Sequence, residues 1–391
     1  MEILFWILLG VIIYTYIGYG IIVGIIVKVF GLGKKDLSEL KDYPPVTLFV
    51  AAYNEKDFID IKVKNSLELD YPKDKLTHLW ITDGSDDGTP DLLRKYKELK
   101  VYHEDKRSGK TAAIHRGLKF VDTSIVIFCD GNTILSPETI KVVVKAFEDP
   151  KVGCVAGEKR IIQKDNEAAS GSGEGAYWKY ESILKKLDSA LYSAVGGVGE
   201  LFAIRKELFE EIDTNSILDD FEITMRIAMK GYKIKYVPEA TASETPSDNV
   251  KEELKRKIRI SAGGYQVMGR LSSLLNPFKH GILSLQFLSR KVFRWAIVPF
   301  AMLILFPLNI YLASNYKFEI HNVFTILLIL QTIFYFFVLL GKILTNVNVP
   351  FKAIFLPYYI FIMNYAAILG GIRHFKGSQS VNWERAKRAK M

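Results

Sequence analysis

The chain sets nearly uncharged stretches at its two ends against a long charged middle, and that contrast gives the first expectations. No charged residue occurs between Glu2 and Lys28, and about 20 apolar residues are enough for a helix to cross the hydrocarbon core. Residues 1–32 are therefore expected to form a membrane helix. A cleaved leader fits less well, because the run is longer than an h-region and no small-residue cleavage site follows it. Toward the other end, Trp295 to Ala313, Val323 to Leu340 and Ile354 to Ile368 carry almost no charge, which predicts three membrane helices within 295–372. Ahead of them, region 271–294 interleaves Leu283, Leu285, Phe287, Leu288 and Phe293 with Arg290, Lys291 and Arg294. That pattern suits an amphipathic helix lying in the interface, or equally a helix packed on a soluble unit.

The middle, residues 44–270, has another rhythm. Val46 to Ala51 reads as a buried strand that runs into Tyr53-Asn54-Glu55. Leu79 to Thr82 repeats the arrangement and ends in Asp83-Gly84-Ser85-Asp86-Asp87-Gly88, and Ser124 to Cys129 repeats it again before Asp130-Gly131-Asn132. Helical patterns at Pro90 to Lys97 and Thr111 to Phe120 separate these runs. The alternation predicts an α/β unit with a parallel, doubly wound sheet, whose ligands bind at the carboxyl ends of the strands. Further on, Ser170-Gly171-Ser172-Gly173-Glu174-Gly175 and Gly196-Gly197-Val198-Gly199 bracket a helical stretch from Tyr177 to Tyr192, and these glycines predict bends or a mobile loop.

Charge changes the picture in one respect. The net charge is +9, but the excess flanks the apolar runs at Lys34, Lys35, Arg290, Lys291, Arg294 and the tail 373–391, which points to a lipid bilayer and away from nucleic acid. Basic residues favour the cytosolic side of a cell membrane. The middle unit and the Lys342/Lys352 loop are thus expected in the cytosol, with Asn315 to Asn322 outside. Three full C-terminal crossings would then export a tail with six Lys/Arg and one Glu. The last segment, containing Pro357 and Asn364, is expected to be re-entrant or interfacial instead. With Cys129 and Cys154 alone, neither a disulfide framework nor a cysteine metal site is expected.

Several residue types carry candidate chemistry. Asp83 and Asp130 each follow an apolar strand, where a carboxylate can accept hydrogen bonds from a nucleoside or share a divalent cation with a diphosphate; most Asp-Gly pairs simply make turns. Asp219-Asp220 opens a helical pattern, a place where acids also serve as caps. Arg256 and Arg259, three apart, can face phosphates together or belong to a solvated charge run. Gly109-Lys110-Thr111 mimics the end of a P-loop, but Glu104 stands where the required glycine should be, which excludes an ATPase of that type.

In order along the chain, Tyr53-Asn54-Glu55, Asp83-Gly84-Ser85-Asp86-Asp87-Gly88-Thr89, Arg107-Ser108-Gly109-Lys110, Asp130-Gly131-Asn132-Thr133, Asp219-Asp220 and Arg256-Lys257-Ile258-Arg259 resemble family 2 glycosyltransferases. The likeness is to the membrane-bound subgroup of hyaluronan, cellulose and poly-N-acetylglucosamine synthases, and it runs from about Pro45 to the tail. It implies the GT-A fold with membrane helices at both ends, a nucleotide-sugar donor such as a UDP-sugar, and inverting transfer to a glycan or lipid-linked acceptor. It also implies roles. Ala51, Tyr53 and Glu55 would line the nucleoside pocket, Asp83 would meet the base, and Lys110, Arg256 and Arg259 would meet the diphosphate. Asp130 would serve both donor and metal, Mg²⁺ or Mn²⁺, with Asn132 beside it. Because Asn132 replaces a second acid and carries no charge, the metal would lean on substrate phosphates. Asp220 would be the catalytic base, with Glu200 and Asp219 on the acceptor side.

The family's processive members carry Gln-x-x-Arg-Trp where this chain has Arg256 and Ile260 at the Gln and Trp positions. Three readings therefore stand at this point: a polysaccharide-type synthase, a single-sugar transferase to a polyprenyl or dolichyl phosphate, and a non-catalytic nucleotide-binding membrane protein. The third sits poorly with intact Asp83, Lys110, Asp130 and Asp220, and with spans that hold too few charges for ion-coupled transport.

Overall fold

The computed structural model describes residues 1–33, 39–40, 42–162, 170–245, 250–344 and 355–380. Lys34, Lys35, Lys352 and the tail from 381 onward, invoked above for topology, lie outside the described residues. One eight-stranded sheet organises the middle of the chain. Its strands are β1 (Val46–Ala52), β2 (Leu76–Asp83), β3 (Leu99–Glu104), β4 (Ile125–Asp130), β5 (Ile134–Leu135), β6 (Val152–Ile161), β7 (Leu201–Arg205) and β8 (Lys233–Glu244), in the spatial order β3-β2-β1-β4-β7-β6-β8-β5. The period-2 rule sorts their side chains to two faces. Phe49, Leu79, Ile81, Val126 and Phe128 pack on one side against α4 (Lys110–Leu118) and α7 (Asp219–Met229). Leu48, Val50, Trp80 and Ile127 pack on the other against α2 (Ile59–Leu67) and α5 (Thr139–Ala146).

Strands β1 to β4 pair in parallel, as the alternation predicts. The expectation of a wholly parallel sheet is corrected beyond that point: β7 is antiparallel to both β4 and β6, and β5 is antiparallel to β8. Strand direction depends on which end the chain enters from, and a local apolar pattern carries no information about that. Two helical boundaries also differ. Helix α3 is only Thr89–Leu93, since polar residues follow Leu93. The Ser/Gly-rich stretch from Ser170 to Gly175, expected to bend or to form a loop, is instead the first turns of α6 (Ser170–Leu191), where helix continuity from the aromatic stretch overrides the local cost of about 1 kcal/mol per glycine.

Among the described residues, four helices are long and apolar enough to cross a membrane: α1 (Glu2–Val29), α9 (Ile282–Asn315), α10 (Val323–Ile343) and α11 (Phe355–Phe375). Ile3, Ile7, Ile25, Leu303, Leu330 and Leu339 present exposed side chains on α1, α9 and α10, an outward apolar face that water would penalise and lipid accommodates. The chain is a membrane protein. Region 271–294 is not a separate surface helix, because from Ile282 it is the first part of the continuous α9. Its Leu283 and Phe287 enter the same core as α4 and α7, so one helix reaches from the α/β unit into the apolar layer. Helix α11 packs closely on α8 (Val250–Arg270), where a Cβ on Gly370 would come within 2.8 Å of the Ile258 carbonyl oxygen, and Tyr359 meets Tyr177 of α6.

Candidate functional site

Parallel pairing puts the ends of β1, β2 and β4 side by side, with Ala51 opposite both Ile81 and Asp130. Three loops emerge there and lock onto one another. Asn54, held at φ 52°, exchanges hydrogen bonds with Asp86 at 2.8 and 3.0 Å, its amide N–H donates to Ser85, and the Glu55 and Lys56 amides donate to Thr89 and Asp87. Much of the Asp-rich motif is thus spent on holding the Tyr53-Asn54-Glu55 loop. Glu55 is buried, with its Cγ beside Gly131. The Arg107 guanidinium stacks 3.7 Å over the Tyr53 ring, a contact that no spacing in the sequence signals. Gly84 makes this approach possible: its φ is +68°, and a Cβ there would meet the Arg107 backbone within 2.8 Å.

Asp83 accepts from the Ser108 and Gly109 amides at 2.9 and 2.7 Å and from Arg116 at 3.3 Å. It fixes the loop from which α4 begins, and the first residue of α4 is Lys110. That lysine reaches Asp130 at 2.7 Å. Burial disfavours its charge, but Asp130, Asp219 and Asp220 outweigh this and raise its pKa, so the ammonium is permanent.

Asp219 and Asp220 start α7, where unpaired N–H groups favour carboxylates. The glycine-rich turn ahead of β7 closes over them. Gly196 sits at φ +95° against the Phe221 ring, the Gly197 amide donates to Thr224, and a Cβ on Gly199 would lie 3.4 Å from the Asp220 carboxylate. Burial, then repulsion from Asp219, pushes the Asp220 pKa up to about 7, against the pull of Lys110. Burial also raises Asp130. Arg259 faces the same three acids; burial lowers its pKa while Asp219, Asp220 and Asp130 hold it charged. Lys110, Asp130, Asp219, Asp220 and Arg259 therefore belong to one site. Two cations there can meet a diphosphate, and one carboxyl is poised near neutrality to take a proton.

Arg256 is one step removed. It bonds Glu244 at 3.5 Å, and Glu244 shares the buried Lys159 with Glu200, which is 2.6 Å away from that lysine. Burial opposes the Glu200 charge, but Lys159 and Arg256 hold its pKa far below the usual carboxylate range. Lys159 escaped the sequence reading because a lone lysine in a strand carries no motif. For a divalent cation the donors are oxygens. The Asn132 amide oxygen is buried without a hydrogen-bond partner beside Asp130, which suits a hard cation. No cluster of three or more His, Cys, Asp or Glu residues that could hold a metal occurs among the described residues. Asp130 and Asn132 offer two oxygen donors that suit such a cation, and the Asp130 carboxylate is shared with Lys110.

A family model for "Glycosyltransferase like family 2" matches residues 44–263. The poly-beta-1,6-N-acetyl-D-glucosamine synthase of Staphylococcus aureus (strain MSSA476) is 29% identical over 252 residues, covering 62% of this chain and 60% of that protein. The synthase of the same name from Staphylococcus epidermidis is 25% identical over 243 residues, covering 60% and 58%. The chain thus spans about 60% of the length of the relatives it matches. A mannosyltransferase from Pyrobaculum calidifontis, solved in complex with GDP-Man and Mn²⁺, superposes with a TM-score of 0.70 over 95% of this chain and 99% of its own, at 21% identity.

Proposed function

Because the chain belongs to glycosyltransferase-like family 2 and has the GT-A fold, we propose that it is a membrane-bound inverting glycosyltransferase, moving a sugar from a nucleotide-sugar donor to a glycan acceptor at the membrane. The observation that carries this reading is Asp220, a half-buried carboxyl whose pKa is pushed up to about 7 by desolvation and by Asp219, in one site with Lys110 and Arg259 at the carboxyl ends of the parallel strands. The nucleoside lies by Ala51, Tyr53, Glu55 and Asp83, and Lys110 and Arg259 receive the diphosphate. Asp220 takes the proton of the acceptor hydroxyl as its oxygen bonds to the anomeric carbon, and the bond from that carbon to the diphosphate breaks on the opposite face. Asp219 and Glu200 orient the acceptor, with Lys159 and then Arg256 holding Glu200 ionised. When bound, Mg²⁺ or Mn²⁺ supplies charge for the leaving diphosphate, held by Asp130 and Asn132. The names of the two synthases support a glycan as the class of product.

The test is turnover of a panel of UDP-, GDP- and dTDP-sugars by purified protein in nanodiscs with either metal, reading released nucleotide and product size. One donor consumed with metal dependence is the expected result; no consumption with any glycan or lipid acceptor would sink the proposal. The pH dependence is also expected to be specific. Asp220 must be ionised to accept a proton, so kcat/KM falls as pH drops through its raised pKa, giving an acid limb near pH 7. An ordinary aspartate titrates near pH ~3.9 and would leave the profile flat from about pH 5.5 to about pH 8.

For topology, we infer that α1, α9 and α10 cross the bilayer while α11 lies along the α/β unit, which keeps the tail and the catalytic site together in the cytosol. The close packing of α11 on α8 and α6 supports this. A Ser378→Cys variant lacking Cys129 and Cys154 is expected to react with an impermeant maleimide only in inside-out vesicles. Labelling in intact cells would overturn the arrangement.

A further inference from the structure

Among the described residues, two stretches widen into π-helix, Tyr14–Gly18 in α1 and Leu288–Ile297 in α9. Such widenings cluster at functional sites, and here both line one small cavity of about 70 Å³, partly open to solvent, between α1, α6, α8, α9 and α11. Its wall is strongly basic, with Lys257, Arg290, Lys291 and Arg294 against Glu181, and it includes Tyr16 and Tyr177. Most of that charge is matched. Arg290 bonds Asp188 at 2.7 Å and Glu181 at 2.9 Å, Arg294 also pairs with Glu181, and Lys257 pairs with Glu253 at 3.2 Å. Lys291 is different: among the described residues it has no carboxylate within pairing distance, and its ammonium lies 5.1 Å over the Phe221 ring and 5.2 Å over Trp295. One positive charge faces the cavity without an anion.

Position narrows what that anion is. From Ala296 to Asn315 helix α9 carries no charged residue, so the basic turn sits where the apolar layer begins, at headgroup level on the side of the α/β unit. The cavity also adjoins the acid site. Phe221 beneath Lys291 follows Asp220 directly, and Ile260 and Ser261 in the wall follow Arg259. An anion resting on Lys291 thus lies against Phe221, in the first turn of the helix that carries the base, while its substituents can extend into the membrane. Phosphate esters match this chemistry: a compact anion for an ammonium, with spare acceptors for the Arg294 guanidinium.

We propose that this cavity binds the phosphoryl group of a membrane-anchored lipid carrying the acceptor, with Lys291 as its principal cation. The proposal rests on the transferase reading and names the class of acceptor. It is tested on the full-length protein in detergent by measuring binding of farnesyl phosphate, farnesol and inorganic phosphate, with UDP- and GDP-sugar affinity measured in parallel. Farnesyl phosphate is expected to bind, farnesol at least roughly tenfold more weakly, and Lys291→Gln to lose about tenfold, the scale of one charge-assisted contact. Lys291→Arg is expected to keep the affinity, which separates charge from packing. Equal binding of farnesol, or an unchanged Lys291→Gln variant with wild-type elution and melting, overturns the site. Inorganic phosphate displacing the prenyl ligand at its own affinity overturns the lipid assignment. Loss of donor binding in the wild-type protein would instead count against the transferase reading, so the two failures are distinguishable.

Discussion

Replacing Asp220 by Asn is expected to lower turnover by about 10²–10⁴-fold, the usual contribution of a positioned general base, while donor affinity stays within a few-fold of wild type. The amide is isosteric, so the Gly196-Gly197-Val198-Gly199 turn, which leaves only 3.4 Å between a Gly199 Cβ and the carboxylate, still closes over it. What the amide cannot do is accept a proton. Removing the charge also relieves the repulsion with Asp219 that helps push the Asp220 pKa to about 7, so the variant is expected to be at least as stable as the parent. A loss of turnover accompanied by a lower melting temperature would point to a structural defect, and near-normal turnover would remove Asp220 from the base role. Asp219→Asn provides the contrast. It takes away a repulsive neighbour, so the acid limb of the pH profile is expected to move to lower pH, and rate at neutral pH is expected to suffer less than in Asp220→Asn.

What the sequence made legible follows from how local each signal is. The ends of β1, β2 and β4, and with them Tyr53, Asp83 and Asp130, could be placed because an apolar run followed by a polar cluster is a purely local pattern. Asp220 could be placed because an acid pair ahead of a helical period marks a helix start. Several features were not readable, each for its own reason. The antiparallel entry of β7 depends on the chain's path. The stacking of Arg107 on Tyr53 depends on a glycine, Gly84, tolerating a positive φ, which the sequence permits without requiring. Arg256 and Arg259 looked equivalent on one helix face, yet the structure sends Arg259 to the acid site and Arg256 to Glu244. The basic residues of 271–294 suggested a lipid surface. Two of them, Arg290 and Arg294, instead pair with Glu181 and Asp188, more than a hundred residues earlier, a separation over which charge patterning along the chain carries no signal.

Those partners define the second large effect, on stability. Arg290 is buried and divides its guanidinium between Asp188 at 2.7 Å and Glu181 at 2.9 Å. Asp188 also accepts from Tyr19 of α1, and Glu181 from Arg294, so three helices from the membrane part and the α/β part meet on two carboxylates. Arg290→Met keeps most of the apolar stem but strips both acids of their shared cation. Breaking a buried pair from one side costs about 3–5 kcal/mol because the remaining charge is uncompensated. The expected result is a sharply lower melting temperature in detergent. The two acids should not respond alike. Glu181 is opposed by burial but held well below the usual carboxylate range by Arg290 and Arg294, and Arg294 remains in the variant. Asp188 is pushed upward by burial even with Arg290 present, so it becomes the costly orphan. Adding Asp188→Asn to Arg290→Met is therefore expected to restore much of the loss, although each change alone lowers stability, and a double variant no better than Arg290→Met would show that the guanidinium acts through packing and not charge. Because α9 also carries Phe287 and Trp295 onto Phe221, at ring separations of 6.3 and 5.9 Å, loosening this joint is expected to reach the helix that starts at Asp219 and Asp220 and to reduce transfer to a membrane-borne acceptor more than binding of the soluble donor.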